Sequence, residues 1–259
     1  MSYLDIAIKA AFKAGSVHKK YFGKAFKVQT KTTSFDLVTT ADTEAEDVVV
    51  RLIRKKYPAH NILAEEKIYQ KTNSEYTWII DPLDGTNNFA SGLPIFCASV
   101  GLAYRNKVIA GAIYDVSRNE LFYARRNKGA FLNGKRIHIN KAANLGQAII
   151  ITGFYYSRDK DMIDTLDTMK RFLRKRIIGI RRLGSAALDL CYVASGRAAG
   201  FWEFTLSPWD FAAGSLIIQE AGGKVTDNCG NNVLPVKKTF IVASNTKIHS
   251  VMLEVINEK

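Results

Sequence analysis

The stretch Asp81-Pro82-Leu83-Asp84-Gly85-Thr86 sets two carboxylates three residues apart on a segment that must turn. Pro82 cannot extend a sheet ladder and Gly85 permits backbone angles closed to other residues, so the two acids can converge on one point. Hard cations such as Mg²⁺ take oxygen ligands, and the Leu83 carbonyl on the same bend offers a neutral third donor. Gly85-Thr86-Asn87-Asn88 then reads as a helix start, where unpaired N–H groups suit a phosphate. The same residue types are the commonest in ordinary turns. A plain turn capped by Asp81 and Asp84, with Thr86 in a local hydrogen bond, is an equal reading of this segment by itself.

Other chemistries find less support. Cys97, Cys191 and Cys229 are odd in number and widely spaced, unlike a disulfide framework or a zinc site, and are expected as reduced thiols of a cytoplasmic protein without a catalytic role. His18, His60, His138 and His249 lie outside the acidic motif and are expected at the surface. No apolar run reaches the length of a bilayer span, and Met1-Ser2-Tyr3-Leu4-Asp5 does not read as a secretory leader. With 259 residues, 47% of them apolar and 24% charged, the chain belongs to neither a disordered nor a fibrous class.

The formal charge of +13 attracts small anionic substrates and polyanions alike. Its densest stretch, Arg171, Arg174, Lys175, Arg176, Arg181 and Arg182, is interrupted by apolar residues. Solvated helix and strand faces are the expected reading; a nucleic-acid or partner patch is the alternative. Arginines of this stretch that face a pocket could hold a second substrate phosphate.

The acids need a scaffold. Leu4, Ile8, Ala11, Phe12 and Gly15 recur at helical spacing and predict a helix over 3–22. A second helix is expected from about Asp42 to Tyr57, capped near Thr39 and ended by Pro58. Val-, Ile-, Tyr- and Trp-rich runs at 77–81, 98–104, 108–116 and 120–124 predict an antiparallel meander, with an Asn133-Gly134 hairpin after it. Beyond residue 148 the pattern alternates: strands at 148–152, 177–182, 198–204 and 239–244, helices near 158–174, 184–195 and 209–221, and a closing helix. The reading is an α+β half over 1–145 with an antiparallel sheet and an α/β half over 146–259, packed as one unit.

Trp78-Ile79-Ile80-Asp81-Pro82-Leu83-Asp84-Gly85-Thr86-Asn87-Asn88-Phe89 resembles the first signature of the inositol monophosphatase family, and Trp209-Asp210-Phe211-Ala212-Ala213-Gly214 resembles its second. Lys31, Asp36-Leu37-Val38-Thr39 with Asp42, Ala64-Glu65-Glu66, Gly184-Ser185-Ala186-Ala187, Glu203 and Glu220-Ala221-Gly222-Gly223 follow in the family's order. Ala64 departs from the glycine usual before the paired glutamates but leaves Glu65 in place.

The resemblance implies a layered αβαβα sandwich with the active site between the two halves, a homodimer and two to three Mg²⁺ per site. Glu65, Asp81 and the Leu83 carbonyl would hold the first ion; Asp81, Asp84 and Asp210 the second; Glu65 and waters a weaker third. Alone, each remote residue has a plainer reading: Glu65 a surface ion pair, Asp210 a helix N-cap, Glu203 an exposed strand end and Lys31 an ordinary exposed lysine.

The expected reaction is in-line attack of a metal-activated water on a phosphate monoester, without a phosphoenzyme. Glu65 and Thr86, the latter hydrogen-bonded to Asp42, orient the water. Asp84, Gly85, Thr86, Ser185, Ala186, Glu203 and Asp210 line the substrate, a small phosphorylated polyol or sugar, and Lys31 lies on a mobile loop closing over it. Glu203 and the Ala186 N–H favour myo-inositol monophosphate, though relatives act on fructose 1,6-bisphosphate, histidinol phosphate, nucleotide 3′-phosphates and NADP. Inhibition by Li⁺ is a further implication of the family. RNA or transcription-partner binding through the basic surface is the alternative from another class.

Overall fold

Ser2 opens the first helix with a capping box, its hydroxyl accepting the Asp5 N–H while the Asp5 carboxylate accepts the Ser2 N–H. Helix α1 (Tyr3–Tyr21) then buries a stripe of Ile6, Ala7, Ala10, Ala14 and Val17. The computed structural model describes residues 2–24, 28–30, 37–154 and 160–258. Within them β1 (Val28–Thr30) and β2 (Leu37–Thr39) pair antiparallel and lead into α2 (Thr40–Lys56). Thr39 caps α2, and Asp42, at its third position, closes the capping box.

A seven-stranded sheet follows in the order β3 (Asn61–Ala64), β4 (Tyr76–Asp84), β5 (Cys97–Tyr104), β6 (Lys107–Asp115), β7 (Glu120–Arg125), β8 (Ala130–Leu132), β9 (Lys135–Arg136), with the single-turn α3 (Thr86–Ala90) between β4 and β5. From β4 onward it is the expected antiparallel meander. The edge departs from that reading: β3 pairs parallel to β4, and its four residues are too short to carry a β pattern in sequence.

The second sheet, in the order β11-β10-β12-β14-β13, is mixed. It is built from β10 (Ile149–Thr152), α4 (Lys160–Arg174), β11 (Gly179–Arg181), α5 (Ala186–Ala194), β12 (Gly200–Leu206), α6 (Pro208–Glu220), β13 (Lys224–Thr226), β14 (Thr239–Ser244) and α7 (His249–Asn257). The parallel pairs β10–β11 and β10–β12 carry the α/β character.

Strand alternation sorts the apolar residues into three cores and so sets five layers. Trp78, Ile80, Ala98 and Val100 face α1 and α2. Ile79, Cys97, Ile113 and Phe122, on the other face of the same sheet, pack with α5, α6 and the inner face of the second sheet through Ile151, Phe201, Ile241 and Ala243. Ile150, Trp202 and Val242 face α4 and α7. The result is the αβαβα sandwich. Trp78 and Trp202 are wholly buried, each contributing about 3 kcal/mol of apolar burial. Among the described residues no helix is long and apolar enough to cross a membrane.

Helix α6 approaches the first sheet closely because Gly101 and Gly111, paired across β5 and β6, lie against Ala213. A Cβ at Gly111 would stand 3.1 Å from the Ala213 Cα. That contact seats the start of α6 beside the end of β4.

Candidate functional site

The ladder between β4 and β5 runs in register to Asp81–Ser99, skips Pro82 and Leu83, and resumes at Asp84–Cys97. The proline thus interrupts the strand without ending it. Within the bulge the Leu83 N–H donates to Asp81 Oδ1 at 3.0 Å. Gly85 follows at φ 95°, a conformation that favours glycine, and a Cβ there would stand 2.8 Å from the Ile95 carbonyl. The turn is braced from beneath: the buried His18 ring donates from Nε2 to the Pro82 carbonyl at 2.8 Å. Burial holds His18 down to about 4, so the imidazole is neutral near pH 7.

The expectation of four surface histidines therefore fails for His18 and for His249, which lies buried between Thr226 Oγ1 at 2.9 Å and Ser244 Oγ at 2.8 Å. Apolar neighbours of His18 at helical spacing were the available signal.

Thr86 Oγ1 stands 2.8 Å from Asp42 Oδ1 and 3.0 Å from the Leu83 carbonyl, two acceptors for one proton. Asp42 Oδ2 accepts from the Thr39 N–H at 2.7 Å and hydroxyl at 2.5 Å. Burial, reinforced by the nearby charge of Glu65, raises Asp42 to about 6 against those hydrogen bonds. The Leu83 side chain is buried in the first core, and its carbonyl faces Thr86. Helix α3 is a single turn, so any hold on phosphate at Gly85 and Thr86 comes from individual N–H groups rather than a long helix dipole.

Asp84 Oδ2 accepts from the Ser185 hydroxyl at 2.5 Å and the Ala187 N–H at 2.8 Å, and the Ala186 N–H adds to this hold. Ser185 and Ala186, expected against substrate, here orient Asp84. Burial raises Asp84 to about 6, with Glu65 adding to the rise. Cys97 is buried beside this carboxylate, and burial lifts its thiol well above the usual range, keeping it protonated.

Asp210 is the third residue of α6 rather than its N-cap: Pro208 starts the helix and Ser207 caps it, with the Ser207 N–H donating to Asp210 Oδ2 at 2.7 Å. Burial, then the charges of Asp84 and Glu65, raise Asp210 well above the ordinary range. The second half is tied to the first by Asn88, whose Nδ2 donates at 2.8 Å both to the Ile95 carbonyl and to the Leu183 carbonyl.

Glu65 leaves the end of β3 half-buried. The loop that presents it is held by Glu46, wholly buried on α2, which accepts the Glu66 N–H and the Tyr69 hydroxyl, each at 2.9 Å. Glu46 is absent from the sequence expectations. Its spacing of one helical turn after Asp42, on the Ala41, Ala45 and Val49 face, was the available signal.

Glu203 lies within β12 and is only 8% exposed, so it is no exposed strand end. Burial raises it to about 8, Asp84 adds to the rise and Arg182 opposes it. Asp189, also missed in sequence, is buried nearby on α5 and raised in the same way. Of the basic stretch, Arg171 is structural, donating to the Val255 and Ile256 carbonyls at the end of α7. Arg174, Lys175, Arg176, Arg181 and Arg182 are exposed. Lys31 and Asp36 lie outside the described residues.

The structure thus joins Asp42, Thr86 and Leu83 by one set of hydrogen bonds and Asp84, Ser185 and Ala186 by another, while the charge of Glu65 bears on Asp84 and that of Asp84 on Asp210 and Glu203. Among the described residues no three histidine, cysteine or acidic side chains are closed on one ion-sized point. The fit to a divalent cation rests on donor chemistry: Asp81, Asp84, Asp210 and Glu65 offer only hard oxygens, and Asp84 and Asp210 carry charge that burial and mutual repulsion disfavour.

The Nus factor SuhB of Pseudomonas aeruginosa is 42% identical over 98% of this chain and 95% of its own length. The solved IMPase of Thermotoga maritima superposes with a TM-score of 0.90 at 39% identity, covering 100% of this chain and 98% of that one. A solved IMPase/NADP phosphatase complexed with Mg²⁺ and phosphate gives a TM-score of 0.82 at 28% identity over 90% of this chain and 87% of that one. The profile of the Inositol monophosphatase family matches residues 1–259, and on that full-length match the chain belongs to the inositol monophosphatase family.

Proposed function

We propose that the chain is a Mg²⁺-dependent phosphomonoesterase acting on myo-inositol monophosphate, its halves 1–145 and 146–259 working as one unit around the site. The observation that carries this reading is the state of Asp84: hydrogen-bonded in place by Ser185 and Ala187, yet raised to about 6 by burial and by Glu65. Such a carboxylate is stabilised by a cation. Mg²⁺ held by Glu65, Asp81, the Leu83 carbonyl, Asp84 and Asp210 would supply charge neutralisation and acidify a bound water. The related IMPase/NADP phosphatase with Mg²⁺ and phosphate supports that choice of ion.

The chain's own residues then divide the work. The Thr86 hydroxyl donates its hydrogen bond to Asp42, so its oxygen lone pairs are free to accept a hydrogen bond from the attacking water. Glu65 takes the proton that this water releases as it attacks phosphorus in line; the ester P–O bond opposite breaks, and the departing alkoxide takes a proton from solvent water to leave as the alcohol. The N–H groups of Gly85 and Thr86 hold phosphate oxygens, and Glu203 accepts a hydrogen bond from a hydroxyl of the alcohol half.

The test is phosphate release from a panel of esters under Mg²⁺ titration. Myo-inositol monophosphate is expected to lead, with Li⁺ inhibiting. A preference of more than about tenfold for fructose 1,6-bisphosphate, worth about 1.4 kcal/mol, would overturn the polyol assignment. Asp84→Asn is expected to lose most turnover while folded, and normal release by that variant would overturn the metal assignment. The homodimer rests on the family resemblance, and the cytoplasmic location on the reading of the three cysteines as reduced thiols.

The name Nus factor carried by the 42%-identical relatives favours a second reading, a transcription role through RNA or a protein partner at the basic surface. Its mark would be nucleic-acid affinity that falls steeply with salt and survives Asp84→Asn.

A further inference from the structure

Glu203 is positioned by what is missing opposite it. Strands β10 and β12 run parallel, with Ile151 beside Phe201 and Thr152 beside Trp202, where the ladder ends; Gly153 follows Thr152 on one side as Glu203 follows Trp202 on the other. Thr152 locks that register, its hydroxyl donating to the Trp202 carbonyl at 2.8 Å. On the other side Glu203 pairs with Ile241 of β14, and the strand bulges immediately afterwards. The Glu203 carboxylate lies back across Gly153: a Cβ at that position would stand 2.5 Å from Glu203 Cδ and 2.6 Å from Oε1, and would overlap Oε2.

The backbone of Gly153 does not require glycine. Its φ lies outside the left-handed region, so alanine can adopt it without strain. The gap serves the side chain across from it. Because the obstructed atoms are the tip of a flexible glutamate, a methyl at 153 displaces the carboxylate rather than the fold.

We propose that Gly153 is a specificity-determining residue: the space it leaves seats the Glu203 carboxylate so that it accepts from a hydroxyl on the alcohol half of a polyol monophosphate. The inference rests on the role given above to Glu203. Gly153 touches no substrate and acts as a positioning residue, governing which alcohol is accepted and leaving the phosphate end unchanged.

The experiment compares Gly153→Ala, Glu203→Ala and the double variant on myo-inositol 1-phosphate and on p-nitrophenyl phosphate, an ester whose aryl half carries no hydroxyl. Loss of a hydrogen bond to a carboxylate is expected to raise KM for the polyol ester about tenfold in Gly153→Ala, with kcat and the aryl-ester rate unchanged. In the Glu203→Ala background the added methyl is expected to change nothing beyond about twofold, the signature of one shared interaction. If Glu203→Ala abolishes the polyol preference and Gly153→Ala leaves it within about twofold, Gly153 has no such role and the reading of Glu203 stands. A polyol preference that survives Glu203→Ala overturns both. Equal losses on the two esters, or a lowered melting temperature in Gly153→Ala, also overturn the proposal. Wild-type protein inactive on both esters would overturn the phosphatase reading itself.

Discussion

Thr86 Oγ1 and Asp42 Oδ1 meet at 2.8 Å across 44 residues of chain, joining the first turn of α3 to the first turn of α2. The contact uses the half of Asp42 that its own helix leaves over. The capping box at Thr39 occupies Oδ2, and Oδ1 is directed at Thr86. Asp210 repeats the device: it too is the third residue of a capped helix, with Oδ2 on the Ser207 N–H. Ordinary helix capping thereby fixes two of the carboxylates that the proposed chemistry needs.

Removing the Thr86 hydroxyl deprives the attacking water of its acceptor and Asp42 of a donor. Thr86→Ala is expected to lower kcat by about 10²-fold with KM little changed, the usual scale for one positioned hydrogen-bonding group in the transition state. Thr86→Ser keeps the hydroxyl and is expected to stay within a few-fold of wild type. Steady-state phosphate release for the two variants decides it, and equal activity in both would remove Thr86 from the mechanism.

Metal binding should follow the titration of Asp84. Without an ion this carboxyl takes up a proton as pH falls through about 6, so proton and cation compete below that value. Added Mg²⁺ is expected to raise the melting temperature clearly at pH 8 and progressively less below pH 6, affinity falling about tenfold per pH unit where one proton competes. Asp84→Asn is expected to lose most of the Mg²⁺ shift and its pH dependence. Thermal melts with and without EDTA across that range measure both.

The parts of the site written in consecutive residues were legible. The bend at Pro82, the glycine at 85 and the Trp209-Asp210 motif all stand where the chain pattern and the family resemblance put them, and the meander from β4 to β9 follows its β-rich runs and turns. What escaped is set by contacts distant in sequence. His18 and Glu46 look like ordinary members of amphipathic helices until the Pro82 carbonyl and the Glu66 N–H are brought to them. Asp210 read as a cap because the capping power of Ser207 and the tolerance of Pro208 at a helix start were overlooked. For Ser185 and Ala186, expected against substrate, nothing local reveals that Asp84 also accepts from the Ser185 hydroxyl and the Ala186 N–H.

Glu46 carries a prediction of its own. Glu46→Ala leaves the Glu66 N–H and the Tyr69 hydroxyl without their acceptor and frees the loop that presents Glu65. The variant is expected to lose about 1–3 kcal/mol of stability in urea unfolding. Turnover should fall about tenfold even where the protein is fully folded, with Glu46→Gln intermediate because its amide retains one acceptor oxygen. Full turnover in Glu46→Ala would mean that the Glu65 loop is held by other contacts.

His18 gives the fold a specific acid sensitivity. In the folded chain it is held down to about 4 by burial, against the ordinary histidine value of 6.5. Between those values the unfolded chain binds a proton that the folded chain refuses, so stability falls as pH drops from 6.5 toward 4 and is level on either side. The full span is worth about 3 kcal/mol. Asp42 and Asp84, raised to about 6, act in the opposite sense and gain stability over a similar range, so the wild-type profile alone is ambiguous. His18→Gln separates them, since it keeps an amide N–H for the Pro82 carbonyl and removes only the titration. Urea unfolding at pH 7 and pH 4.5 is expected to show wild type losing about 2–3 kcal/mol relative to this variant. Parallel profiles for the two proteins would mean that His18 is protonated in the folded state, and the Pro82 turn would then be braced by a charged ring.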